Sequence, residues 1–401
     1  MSSASAPRAT TPSTRLPGLD TLRALAVTLV VLHHYTLFVS NDDYTFGWVG
    51  RIGWIGVDLF FALSGYLIGN QIFAGLRSEA GLSLPRFYAR RLLRTLPNYL
   101  VVLLVYVLSR AVREEAPLLP LFRYLSFTQN LGLAPGTAFS HSWSLAIEEQ
   151  FYLVLPALAT LGLWWGRGKG MRLAWTALAL VVLGGMLLRA QLWLAHVDAH
   201  KYGIYFYYKL IYYSSFCRLD ELVAGVGLAL LKNAHPPMWT RLRGHGNRML
   251  AAALLVLAPT AWLLLGDRYG FAATVFGYPL LALGFGLLIL AALSGRSWLG
   301  RLRIPGAASL ALWWSYALYL VHRGVGALAA PFLFPARALA PDPARDRPDP
   351  AAVGAGRLAA LPAGRDALHA PARAPCPRQP QNARTQSRAS MTSKAAGMAP
   401  R

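Results

Sequence analysis

Residues Leu19 to Phe38 read LDTLRALAVTLVVLHHYTLF. As a helix rising about 1.5 Å per residue, this stretch measures about 30 Å, the thickness of a bilayer's hydrocarbon core. It nonetheless contains Asp20, Arg23, His33 and His34. An ionisable group at the centre of a spanning helix costs about 2.5–3.5 kcal/mol on insertion scales, so such groups mark functional sites by default.

The rest of the chain repeats the pattern. Hydrophobic residues make up 55% of the 401 and charged residues 14%, against about a quarter charged in soluble domains. Apolar windows of about 20 residues fall near 19–39, 54–74, 92–109, 143–165, 173–194, 211–231, 249–266, 271–293 and 307–333. The expectation is an all-α, polytopic transmembrane helix bundle of about nine spans. The net charge of +22 raises the question of nucleic acid. The basic residues, however, sit in short segments between apolar runs, the pattern of topology-setting loops, which argues against a nucleic-acid partner. With the N-terminus inside, the inner loops hold fourteen Lys and Arg and the outer loops seven. This predicts a multi-pass plasma-membrane protein with a cytoplasmic N-terminus.

Three segments follow from this reading. Residues 1–17 are polar, lack an apolar core and read as a cytoplasmic lead-in rather than a signal peptide. Residues 18–335 form the transmembrane domain. Residues 336–401, rich in Pro, Ala and Arg, read either as a disordered tail or as a tenth helix lost through a reading-frame change. Cys217 and Cys376 have neither metal-ligand nor disulfide spacing. The tyrosines of YFYYKLIYY, at the start of the sixth window, read as an interfacial belt.

Helical spacing separates the two histidines. Eleven residues from Arg23 to His34 turn through about 1100°, within about 20° of three full turns. Those two share a face, while His33 points about 100° away. Asp20 lies one turn before Arg23 and can pair with it. On the inward-running second window, GWIGVDLFFALSGYLIGNQIF, Asp58 comes at a depth similar to His34. Ser64 and Gly65 below it permit close helix contact. The fourth window, HSWSLAIEEQFYLVLP, brings Glu148 and Glu149 to the same layer, and only one of these neighbours can face a given partner. A carboxylate beside His34 would fix its tautomer and raise its basicity. A structural polar cluster tying helices together is the alternative.

Arg91 and Arg94, in RFYARRLLRTLPNYL, are three apart and make a fork for phosphate, or a positive-inside anchor. Arg218 and Asp220, at i and i+2, are poorly placed to pair with each other, so each is expected to meet another helix. Glu221 follows them, and His322 and Arg323 lie about 15 residues into the ninth window.

Taken together, GLDTLRALAVTLVVLHHY, GWIGVDLFFALSGYLI, YARRLLRTLPNYL, SWSLAIEEQFYLVLP, RLDELVAG and SYALYLVH resemble the acyltransferase-3 family of integral membrane acyltransferases, over about residues 15–325. The resemblance implies transfer of an acyl group, often acetyl, from acyl-CoA as co-substrate to a hydroxyl, with no permanently bound cofactor. Acceptors across the family are sugars of cell-surface polysaccharide, of peptidoglycan and of glycosylated natural products. It places the family's histidine on His34, its arginine on Arg23, its Arg-x-x-Arg on Arg91 and Arg94, and favours Glu148 over Glu149. The sequence departs at VHRGV, where the family has a proline after an aromatic, and lacks a tenth helix. Joined to the spacing, this predicts His34 as general base or transiently acylated group, oriented by Asp58 or Glu148. Arg23, Arg91 and Arg94 would receive the donor, and the surroundings would be lipid and a carbohydrate acceptor. The alternative is a carrier for lipid-linked glycans, which would use similar intramembrane charges.

Overall fold

The computed structural model describes residues 16–165, 170–200 and 202–335. Its long helices are α1 Pro17–His34, α2 Ile55–Arg77, α3 Leu84–Leu108, α4 Trp143–Trp165, α5 Gly170–Leu192, α6 Asp220–Ala234, α7 Gly246–Gly266, α8 Tyr278–Ala292 and α9 Ser315–Leu333. No strand occurs among the described residues. The fold is an all-α bundle. Among the described residues, six segments are long and apolar enough to cross a membrane: Pro17–Ser40, Ile55–Arg77, Leu84–Leu108, Gly170–Asp198, Gly246–Gly266 and Ala273–Ala292. The lead-in before Leu16 and the tail from residue 336 lie outside the described residues.

Burial sorts the helices. In the 18-residue apolar window of Ala273–Ala292, 72% is buried, and in that of Gly170–Asp198 only 6%. α8 is therefore central and α5 peripheral. Outer faces carry Leu93, Leu108, Leu255, Trp262 and Phe332, each at least 75% exposed. Such faces are costly in water and suited to lipid chains.

α2 and α6 make the closest contact. A Cβ added at Gly65 would stand 2.0 Å from the Leu222 carbonyl oxygen, and one at Gly225 would stand 2.2 Å from that of Ala62. Only glycine permits this approach, as the small residues of the second window suggested. Arg189 of α5 ties the peripheral helix to α6 through Asp220, with Nη1–Oδ2 at 2.6 Å and Nη2–Oδ1 at 3.0 Å.

The sixth window departs from expectation. It is not one span: a π-helical turn at Tyr207–Tyr212 and a 3-10 turn at Ser215–Cys217 precede a helix that starts only at Asp220. Its tyrosines are not an interfacial belt. Tyr207 and Tyr212 are buried, Tyr207 bonds Tyr278 through their hydroxyls at 2.7 Å, and Tyr212 stacks beneath the guanidinium of Arg218 at 4.7 Å. Cation–π contact with buried arginines holds these rings inside.

Candidate functional site

α3 begins at Leu84 with Pro85 in its first turn, where the missing N–H is no loss. About two and three turns further in, Arg91 and Arg94 project toward α1 and α4. There they line a cavity of about 150 Å³ together with Arg23 of α1, Ser64 of α2, and Glu148 and Tyr152 of α4. Four of the six expected site residues thus meet on one wall system. The Ser64 hydroxyl donates to Glu148 Oε1 at 2.9 Å, and the Arg91 guanidinium lies 4.5 Å over the Tyr152 ring. Asp20, Arg91 and Arg94 are within electrostatic range of Arg23. Glu149, one residue on, faces Thr95 of α3 instead, so the two acids do diverge. A larger apolar cleft of about 590 Å³ contains none of the six residues.

His34 closes α1 at the other end. Its Nδ1 donates to the Val30 carbonyl at 2.9 Å, leaving Nε2 as the free ring nitrogen. Phe38 stacks on one side at 5.7 Å, and the His322 ring meets it edge-on at 4.7 Å. His34 is not in the cavity lining. Tyr319 stands between the two places. Its ring lines the cavity, its hydroxyl donates to the His141 carbonyl at 2.8 Å, and Ser144 bonds it at 2.5 Å.

Asp58 does not reach His34. Its carboxylate accepts from Arg218 and both side chains are fully buried. Asp58 and Gly65 are seven residues apart, two turns on one face of α2, and Gly65 packs on α6. That face delivers Asp58 to the segment just before α6, where Arg218 lies. Ser64, about 100° around, faces Glu148. Depth counting aligns Asp58, Glu148 and His34 in one layer, but Glu148 bonds Ser64 and lines the cavity with Arg23, toward the end of α1 away from His34, while helix rotation sends Asp58 to Arg218. Arg218 and Asp220 each meet another helix, α2 and α5 respectively, as their spacing required.

His33 is also more than an interfacial neighbour. It is buried and its Nδ1 donates to the Gly50 carbonyl at 2.7 Å, tying α1 to the short helix Gly47–Ile52.

Sequence reasoning missed His141, in the turn Ser140–Ser142 that leads into α4. Its Nε2 donates to the Leu320 carbonyl at 3.0 Å, and its ring lies 5.3 Å from that of His322. The residue stood in view at the head of HSWSLAIEEQ, but nothing in its spacing set it apart from a loop histidine.

The sequence model of the acyltransferase-3 family, described as an acyltransferase domain, matches residues 16–351. The chain is 31% identical over 265 residues to "Putative peptidoglycan O-acetyltransferase YrhL" of Bacillus subtilis, covering 60% of this chain and 38% of that protein. It is 30% identical over 237 residues to "Peptidoglycan O-acetyltransferase OatA" of Listeria monocytogenes, covering 54% of this chain and 34% of that protein. The chain thus spans little more than a third of the length of the curated relatives it matches. No solved structure matches it.

Proposed function

Because the chain belongs to the acyltransferase-3 family, we propose that it is a multi-pass membrane O-acyltransferase. It moves an acyl group, acetyl by the names of its relatives, from a coenzyme A thioester to a hydroxyl of an envelope carbohydrate such as peptidoglycan. The observation that carries this reading is the chamber. Arg23, Arg91, Arg94 and Glu148, from three helices, share one small cavity.

Its size assigns the parts. About 150 Å³ admits an acyl thioester end but not a nucleotide. Arg94 is exposed and Arg91 half-buried, so they receive phosphates at the mouth, where the donor's bulk stays in water. Reading the N-terminus as cytoplasmic, this mouth faces the compartment that holds acyl-CoA. The acyl carbon then passes Tyr319 toward His34.

At His34, Nε2 takes the proton of the acceptor hydroxyl as its oxygen attacks the thioester carbonyl. The carbon–sulfur bond breaks, an oxygen–carbon bond forms, and the proton leaves with the thiolate. The Val30 carbonyl, holding Nδ1–H, sets the tautomer that this role needs.

The test is incubation of the purified chain with labelled acetyl-CoA and peptidoglycan fragments, followed by mass spectrometry for an added acetyl. His34→Ala abolishes transfer while the protein remains folded. Undiminished turnover by that variant overturns the assignment of His34.

A further inference from the structure

Three imidazoles meet where α1, α9 and the turn before α4 come together, and only His34 has a role in the reading above. The His34 and His322 rings are 4.7 Å apart at 63°, and those of His322 and His141 are 5.3 Å apart at 74°. Each ring has one nitrogen bound to a main-chain carbonyl. For His34 it is Nδ1, to Val30. For His322 it is Nδ1, to Tyr319 at 2.7 Å and Leu318 at 3.1 Å. For His141 it is Nε2, to Leu320.

A carbonyl only accepts, so in a neutral ring the bound nitrogen carries the N–H and the other presents a bare lone pair. In His322 that is Nε2 and in His141 it is Nδ1. Both atoms are buried, and among the described residues neither has a hydrogen-bond partner. Buried acceptors are nearly always satisfied, so orphans of this kind call for a donor from outside the chain. Among the described residues no group of three or more His, Cys, Asp or Glu is placed to hold a metal ion. What fits is a ligand rich in O–H donors.

We propose that His322 binds the acceptor directly. While His34 Nε2 takes the proton of the hydroxyl being acylated, His322 Nε2 accepts a hydrogen bond from a neighbouring hydroxyl of the same molecule. The acceptor class is therefore a polyol with adjacent hydroxyls, such as a sugar ring, rather than an isolated alcohol. This rests on the proposed acyl transfer at His34. It explains why His322, on a different helix, lies against His34 with its buried Nε2 lacking a donor among the described residues.

Two isosteric substitutions separate this role from a packing role. Glutamine places an amide oxygen, an acceptor, near the position of Nε2. Asparagine places an amide N–H near that of Nδ1 and restores only the tie to α9. Membranes carrying the full chain are given labelled acetyl-CoA, and base-labile label on carbohydrate is counted per folded molecule, against membranes without the chain. Folded protein is quantified by size-exclusion chromatography. The expected result is that His322→Phe and His322→Asn lose about tenfold or more, while His322→Gln stays within about threefold of the unaltered chain.

Rescue by asparagine and not glutamine overturns the proposal, because only the Nδ1 tie then matters. Equal loss in all three variants, or no loss in His322→Phe, overturns it as well. An unaltered chain that transfers nothing overturns the reading of function and this proposal with it, and so is distinguishable from the other outcomes.

Discussion

Ser64 gives its hydroxyl hydrogen bond to Glu148 across 2.9 Å, while Gly65, the next residue, lies against the Leu222 carbonyl of α6. One step along α2 therefore changes partners from the chamber to the bundle's packing seam. The two residues predict different phenotypes. Ser64→Ala removes one hydrogen bond and is expected to slow transfer by no more than about tenfold, with unchanged thermal stability. Glu148→Gln keeps the shape but removes the charge facing Arg91 and Arg94, and is expected to lose more than Ser64→Ala. Transfer rates of both, measured beside melting temperatures in detergent, check the order.

Gly65→Ala and Gly225→Ala each insert a Cβ about 2 Å from a carbonyl oxygen of the facing helix. Backbone cannot swing aside as a side-chain tip does, so α2 and α6 must separate. Overpacking of this kind costs about 1–3 kcal/mol or more. Lower folded yield and a depressed melting temperature are expected, with normal activity per folded molecule excluded only if the chamber also shifts.

The two arginines of α3 divide the donor's binding. Arg94 is exposed and Arg91 is half-buried, the latter stacked over Tyr152. Arg94→Lys keeps a point charge at the mouth and is expected to raise the KM for acetyl-CoA only a few-fold. Arg91→Lys loses the flat guanidinium that fits both the ring and a phosphate, and is expected to raise it more. The KM for the acceptor should stay constant in both, measured by initial rates with each substrate varied.

Much of this was legible in one dimension. The period of a helix distinguished His34 from His33, placed Arg91 beside Arg94, and denied Arg218 and Asp220 to each other. Counting turns from the window edges misjudges Glu148, which lines the cavity with Arg23 rather than lying level with His34. It also gives no rotation, because which face of α2 meets α6 depends on glycines whose partners lie more than 150 residues away. Asp58 was misassigned for that reason, and His141 was passed over because its neighbours come from α9. The tyrosines before α6 look interfacial by composition, and only the buried arginines beneath them show otherwise.

Asp58 itself supplies the sharpest test of that correction. It and Arg218 are fully buried, and Arg218 is enclosed by the rings of Tyr278 at 4.4 Å, Tyr212 at 4.7 Å and Trp143 at 5.0 Å. Removing one partner of a buried ion pair leaves an uncompensated charge, a loss of about 3–5 kcal/mol, whereas replacing both with apolar groups of similar volume is often neutral. Asp58→Ala should therefore unfold or strongly destabilise the protein. Asp58→Leu combined with Arg218→Met should recover most of the melting temperature and, with it, acyl transfer. A group that orients His34 predicts the opposite for the pair: stability restored and transfer still lost. Activity per folded molecule in the double variant decides between a strut and a working carboxylate.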